Sequence, residues 1–289
     1  MSDPLDEHHD ARAATLVARR LTYTSLSIAF SDPLSERWAR LRTPMDSEIL
    51  DAALDLLRLE SEGVPHELAP GERGAEDLVI ERLRPTFEHD RNRLNEEYEQ
   101  FFGLMTSKEC PPYETEYCPT TNATHRAQAL ADIAGFYRAF GLEPSRDAPE
   151  RHDHISLELE FMAWLLAKEE HAMRLDAPGS LENAGLCREA SRRFFDEHLA
   201  WWAPAFAHAL ESRRQRISLD PGESYLSQVG TLLAAYIHVE RALLGVAPPT
   251  QLLAPVPPDD DPLQDCSGCI HQTEAHAGPQ DLGQGGGGR

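Results

Sequence analysis

Apolar residues recur every three or four positions through most of the chain, the spacing of helices that bury one face. Ala11 to Phe30 places Val17, Leu21 and Ile28 on one row with Thr24 between them, and Asp32-Pro33 ends the segment. A short helix is expected near Leu34–Leu41. Asp46 or Ser47 is the expected cap of a third, with Ile49/Leu50, Ala53/Leu54 and Leu57 on its face. Glu62 to Gly74 reads as a loop. The pattern resumes at about Ala75 and runs through Phe87, Leu94, Tyr98 and Phe101/Phe102 to Gly103. Leu104 to Ala123 is a long connection with Pro111, Pro112 and Pro119, of a length that is often functional or a hinge.

Thr124 to Phe140 is again helical, with Leu130, Ile133/Ala134, Tyr137 and Phe140 inward, and Gly141 to His152 breaks it. Ile155 to Phe161 alternates like a strand, but Met162 to Met173 continues without a turn signal. Length therefore favours one buried helix, with Asp153 at the N-cap position. Leu181 to Arg213 is a long helical run with a bend expected near Pro204. Its Phe194-Phe195 and Trp201-Trp202 pairs read as core. Asp220-Pro221 is the expected opening of a last helix with the stripe Leu226, Val229, Leu233, Tyr236/Ile237 and Leu243/Leu244. The predicted fold is all-α: one domain of about eight to ten helices over residues 11–245, after a disordered N-terminus at 1–10. No internal repeat is found. Residues 246–289 hold seven Pro, seven Gly and Asp259-Asp260-Asp261, and a disordered acidic tail is expected.

Charge narrows the function. The formal net charge is −22, from 49 Asp+Glu against 27 Lys+Arg. A general nucleic-acid binder or a protein that docks on anionic lipid needs a basic face, so neither is expected; a cationic partner is compatible. No apolar run approaches the length of a spanning helix, and no membrane insertion is expected. Five cysteines in so long a chain do not make a secreted disulfide framework, and a cytoplasmic location is expected. Arg19-Arg20 superficially resembles an export signal. Thr22, Thr24, Ser25 and Ser27 interrupt the apolar run behind that pair, and the segment reads as the first structural helix.

Three clusters carry candidate chemistry. Cys110-Pro-Pro-Tyr-Glu-Thr-Glu-Tyr-Cys118 is stiff, acidic and aromatic. Glu114 and Glu116 suit an arginine of a basic, apolar peptide, and Tyr113 and Tyr117 suit stacking on it; a loop packed by its own tyrosines is the other reading. His152-Asp153-His154 invites a metal or acid–base reading, so a small helical metalloprotein or enzyme is the alternative. Against it, no third ligand stands at helical spacing, and an Asp N-cap explains the segment as well. Cys266-Ser-Gly-Cys269 with His271 and His276 makes a zinc site only if all four close it, and otherwise an incidental thiol pair. No phosphate-binding glycine loop, GxSxG, HExxH or paired di-iron motif occurs.

Taken in order, the aromatic-ended segment Tyr98–Phe102, Pro-Pro-Tyr-Glu-Thr-Glu-Tyr, the helix ending Phe136-Tyr-Arg-Ala-Phe-Gly-Leu142, and Asp153-His154-Ile-Ser-Leu-Glu-Leu-Glu-Phe-Met162 resemble the TorD/DmsD/NarJ family of molybdoenzyme-maturation chaperones. The likeness covers roughly Ala11 to Leu244. It implies an all-helical cytoplasmic chaperone without enzymatic activity or cofactor of its own, monomeric or homodimeric. Its partners would be the apo catalytic subunit of a molybdopterin oxidoreductase and that subunit's twin-arginine leader peptide. The Tyr-Glu loop looks most like members serving the type II branch of the dimethyl-sulfoxide-reductase superfamily. By motif, Tyr113, Glu114, Tyr117, Asp153, His154, Glu158, Glu160, Phe161 and Met162 fall on shared positions. With Glu116 in place of Glu160, the same set forms the expected peptide site. The proline expected just before Asp-His is His152 here.

Overall fold

The computed structural model describes residues 4–41, 44–62, 67–103, 108–119, 123–143, 145, 150–175 and 177–256. The chain divides into two units after Val256, and every described residue lies in the first. That unit is all-helical: α1 Pro4–Ala29, α2 Trp38–Leu41, α3 Pro44–Glu62, α4 Arg84–Glu88, α5 Arg91–Phe102, α6 Ala123–Ala139, α7 Ile155–Arg174, α8 Ser180–Phe194, α9 Ala200–Arg216 and α10 Tyr225–Leu244. Short 3-10 turns occupy Ala75–Asp77, Ile80–Leu83 and Glu114–Glu116, and a π-helical turn, Phe195–Leu199, joins α8 to α9. No strand occurs among the described residues; the one antiparallel bridge pairs Tyr113 with His154.

Two helices organise the core. α7 lies between α1 and α8, with Ile155, Leu159, Met162, Leu165 and Leu166 fully buried, so the alternating Ile155–Phe161 stretch is helix, as its continuation required. α10 packs on α9 and is buried on nearly every face from Tyr225 to Ala242. An aromatic seam in the core joins Phe30, Phe102, Tyr117, Trp202 and Phe206.

Several element boundaries differ from the expected ones, for local reasons. α1 reaches back to Pro4, and α3 starts at Pro44 rather than behind Asp46 or Ser47; proline suits the first helical position, where its missing N–H costs nothing. The run from Ala75 is broken: Pro85 opens α4, and Asp90 starts α5 by accepting from the N–H groups of Asn92 and Arg93. α10 opens at Ser224, not at Asp220-Pro221, because the buried Glu97 carboxylate accepts from Ser224 Oγ (2.7 Å) and from the N–H groups of Tyr225 (3.1 Å) and Leu226 (3.0 Å). The irregularity expected at Pro204 lies upstream. Pro204 leaves the Ala200 carbonyl without its usual donor, and the wide turn Phe195–Leu199 ends just before that carbonyl.

Of the expected tail, residues 246–256 are described and residues 257–289 lie outside the described residues. Residues 246–256 run back along the domain, with Val246 buried and Leu253 packed on the core. Gly71 (φ +85°) permits this path: a Cβ there would lie 2.5 Å from Leu252 Cδ1 and 3.1 Å from the Pro204 carbonyl. This strap is tied to the loop where Val256 N–H donates to the Glu116 carbonyl (2.8 Å).

Candidate functional site

The Tyr-Glu loop and the start of α7 form one unit. Glu114 N–H donates to the Asp153 carbonyl (3.0 Å) and Ile155 N–H to the Pro112 carbonyl (2.9 Å), which pins the loop across the helix entrance. Asp153 is not the helix cap. Its carboxylate reaches the loop instead, accepting from Thr115 Oγ1 (2.7 Å) and from Arg151 Nη2 (2.9 Å) and Nε (3.1 Å). The cap is His154, whose Nδ1 accepts from Ser156 N–H (3.2 Å). Burial pushes His154 down to about 4, which keeps its ring neutral and able to cap.

Most of the expected peptide-binding side chains are thereby accounted for within the fold. Glu116 is shared by Arg126 (3.0 Å) and Arg151 (3.1 Å), and Arg126 also donates to the Val256 carbonyl (3.1 Å). Tyr113 donates to Glu150 (3.1 Å), lies edge-on to His154 and carries the Arg151 guanidinium 4.2 Å above its ring. Tyr117, Met162 and Phe161 are buried; the Phe161 ring packs against Tyr137 and Phe194. Glu160, by contrast, is exposed and pairs with Arg37 (3.1 Å). His152 stacks on Tyr137, and its carbonyl accepts the Tyr137 hydroxyl (2.8 Å). The alternative metal reading finds no geometric support: among the described residues no three His, Cys, Asp or Glu side chains converge as a metal site. Cys266, Cys269, His271 and His276 lie outside the described residues.

Glu114 and Glu158 lead elsewhere. Both are buried, and Glu114 reaches His198 on the π-helical turn, with Nδ1 3.1 and 3.2 Å from its two oxygens. Trp202 Nε1 donates to one oxygen of Glu158 (3.0 Å), and the Glu114 carboxyl is its other neighbour. Burial first, and then the Glu114 charge, push Glu158 well above the usual carboxylate range.

Glu114 and His198 lie on the floor of a groove of about 760 Å³ between α6 and the α8–α9 run. Phe136, Phe140 and Trp201 are its aromatic walls, and Asp132, Glu189 and Glu197 its exposed acidic rim. Its one basic side chain, Arg193, is paired with Glu197 at 2.6 Å. Cys118 also faces the groove, and burial followed by the Glu114 charge raises its thiol to about 11, leaving it protonated and unreactive. The rim and His198 carry no sequence signal: they come from α6, α8 and the π-helical turn. In the sequence Trp201 reads as core with Trp202, yet only Trp202 is fully buried. Across α6, a second groove of about 550 Å³ is lined by Arg37, Tyr137, Glu160, Phe161 and Trp164.

Comparison with known proteins places this architecture. Residues 70–208, which hold the loop, α6, α7 and the π-helical turn, match the family model described as nitrate reductase delta subunit. Similar proteins include the selenate reductase assembly chaperone protein of Thauera selenatis, 34% identical over 120 residues (42% of this chain, 55% of the relative). The chlorate reductase assembly chaperone protein of Ideonella dechloratans is 32% identical over 119 residues (41% and 54%). The perchlorate reductase assembly chaperone protein of Dechloromonas aromatica strain RCB is 34% identical over 82 residues (28% and 34%). Over these residues, just under half of the chain, the protein is similar to proteins named as reductase assembly chaperones. It spans about half the length of the first two relatives. These three relatives are named as assembly chaperones rather than enzymes. No helix among the described residues is long and apolar enough to cross a membrane.

Proposed function

We propose that this protein is a cytoplasmic assembly chaperone that binds a basic, apolar segment of the apo catalytic subunit of a molybdopterin oxidoreductase, its twin-arginine leader included, and holds it while the cofactor is inserted. The observation that carries this reading is the groove between α6 and α8–α9. Aromatic walls beside a carboxylate rim suit a segment with arginines followed by apolar residues. The Tyr-Glu loop and the Asp153–His154 turn act from below. Tyr113, Glu116, Tyr117, Asp153 and Met162 hold the floor in place, while Glu114 is the loop's contribution to the groove itself.

The test is calorimetric titration of a synthetic twin-arginine leader against the wild type and Asp132→Asn/Glu189→Gln. A charge-assisted contact is worth roughly 1.5–3 kcal/mol when well formed and less at an exposed rim, so the double variant should bind about tenfold more weakly. Added salt should weaken wild-type binding. Equal affinity for the two proteins would remove the rim from the site. Failure to bind either the leader or the apo catalytic subunit would reject the chaperone reading.

A further inference from the structure

His198 has an unusual pattern of partners. It sits in the π-helical turn, a kind of insertion often found where a helix carries function. Its ring is 5% exposed and packs between Phe194 (centroids 4.7 Å apart) and Phe136 (5.5 Å, nearly perpendicular). Nδ1 lies within hydrogen-bonding distance of both oxygens of Glu114, and the tautomer that donates from Nδ1 makes that contact. In the neutral ring Nε2 is then a lone-pair acceptor, and it has no partner. Buried polar atoms are nearly always satisfied, so an unpaired acceptor in a groove floor points to a donor supplied from outside. The charges around the groove say which kind. Glu197 and Glu189 of the rim are held by Arg193 and Arg192, while the Asp132 carboxylate lines the groove with Glu114, so a cationic donor is favoured over a neutral one.

We propose that His198 is the residue by which the groove selects arginine: Nε2 accepts a hydrogen bond from a guanidinium of the bound segment, which enters as the half-buried Phe136 ring turns aside. This rests on the groove being the peptide site. Glu114 fixes the tautomer and strengthens Nε2 as an acceptor, as carboxylates do behind metal-binding histidines. A guanidinium suits the place better than an ammonium because it is planar and weakly hydrated and stacks on the aromatic walls, here Phe136 and Trp201.

The experiment is a double-mutant cycle by calorimetry at pH 8, where an ordinary imidazole is neutral. Full-length wild type, His198→Phe and His198→Gln are titrated with a twin-arginine leader and with the same peptide carrying lysine or alanine for arginine. The wild type should prefer the arginine peptide by tenfold or more. His198→Phe, which keeps the stacking but lacks the acceptor, should lose that preference, and His198→Gln should keep most of it. Equal weakening of His198→Phe toward all three peptides would overturn the inference while leaving the groove assignment intact. No leader binding by the wild type would reject both. Should His198→Phe fail to fold, ¹⁵N spectra of wild-type His198 give the answer: Nε2 should shift with the arginine peptide and not with the alanine peptide, and identical spectra would refute the contact.

Discussion

Of the buried ionic clusters among the described residues, the one along α10 and the one under the groove are finished differently. On α10, Glu72 accepts from Arg241 Nε and Nη2 (each 2.7 Å), Ala69 N–H (2.7 Å) and His238 Nδ1 (3.0 Å). Glu240 accepts from Arg19 Nε (2.8 Å) and Nη2 (2.6 Å) and from the Tyr23 hydroxyl (3.1 Å). Under the groove, His154 Nε2 and His198 Nε2 have no partner, and Glu158 has a second carboxyl, Glu114, as its neighbour. The carboxylates respond in opposite directions. Burial alone would raise Glu72, but Arg241, His238 and the Ala69 N–H outweigh it and hold the carboxyl at about 2; Glu158 is driven up. A closed set of partners holds charge in a core, whereas an incompletely partnered one costs stability and persists where a ligand completes it.

The comparison is most severely tested by Arg241→Ala. Removing one member of a closed buried pair strands the other, so urea unfolding should show a loss of about 3–5 kcal/mol. A loss near zero would mean that α10 is not held by this cluster. Acid comes next, because the two regions should yield in different pH windows. His154 lies below its unfolded value, so its contribution is full above about pH 6.5 and fades as pH falls toward about 4. Glu72 is also depressed, so its contribution is full above about pH 4.5 and fades toward about 2. Each shift corresponds to about 3 kcal/mol. Hydrogen exchange at pH 5 should therefore show the loop–α7 junction opening before α10; simultaneous opening would contradict the distinction.

Smaller effects sharpen it further. Glu158 is raised, so the folded protein holds its proton to a higher pH than the unfolded chain does, and this contribution to stability is lost as pH rises. Glu158→Gln keeps an acceptor for Trp202 without that penalty. It should leave stability at pH 6 within about 1 kcal/mol of wild type and flatten the decline toward pH 8. A steep loss at both pH values would show Glu158 to be a needed charge. Truncation after Ala247 removes Leu253 and the Val256–Glu116 bond; a loss of about 1–2 kcal/mol in thermal unfolding is expected, and no loss would make the strap incidental.

The helical class, the burial of α7 and the importance of the Tyr-Glu loop are legible in the sequence because each depends on local pattern or contiguous residues. The roles inside that loop are not. Asp153 and His154 are both short-range capping candidates, and the choice between them is made by Thr115, 38 residues away. Thr115 stands inside the Tyr-Glu loop, but nothing in the sequence marks it as the partner of Asp153. The groove is illegible for a stronger reason. Asp132, Glu189 and His198 face one another only because α6 lies across α8, and nothing in the spacing of one helix reports the face of another. Where the sequence suggests a straight continuation past Leu199, helical periodicity cannot reveal an inserted residue that leaves the chain helical on both sides.

That inserted residue also works as a phase shifter. One residue is about 100° of helix rotation, so the π-helical turn sets the angular offset between everything before Phe195 and everything after Leu199. Delete a single residue there and α9 would turn as a block. Trp202, now sealed against Glu158, would rotate out of its place while a different side chain took up its bearing. The tilt of the groove wall and the sealing of the core are thus geared together, and a one-residue gap at this point in a relative would predict a repacked α9 and a differently shaped groove in the same molecule.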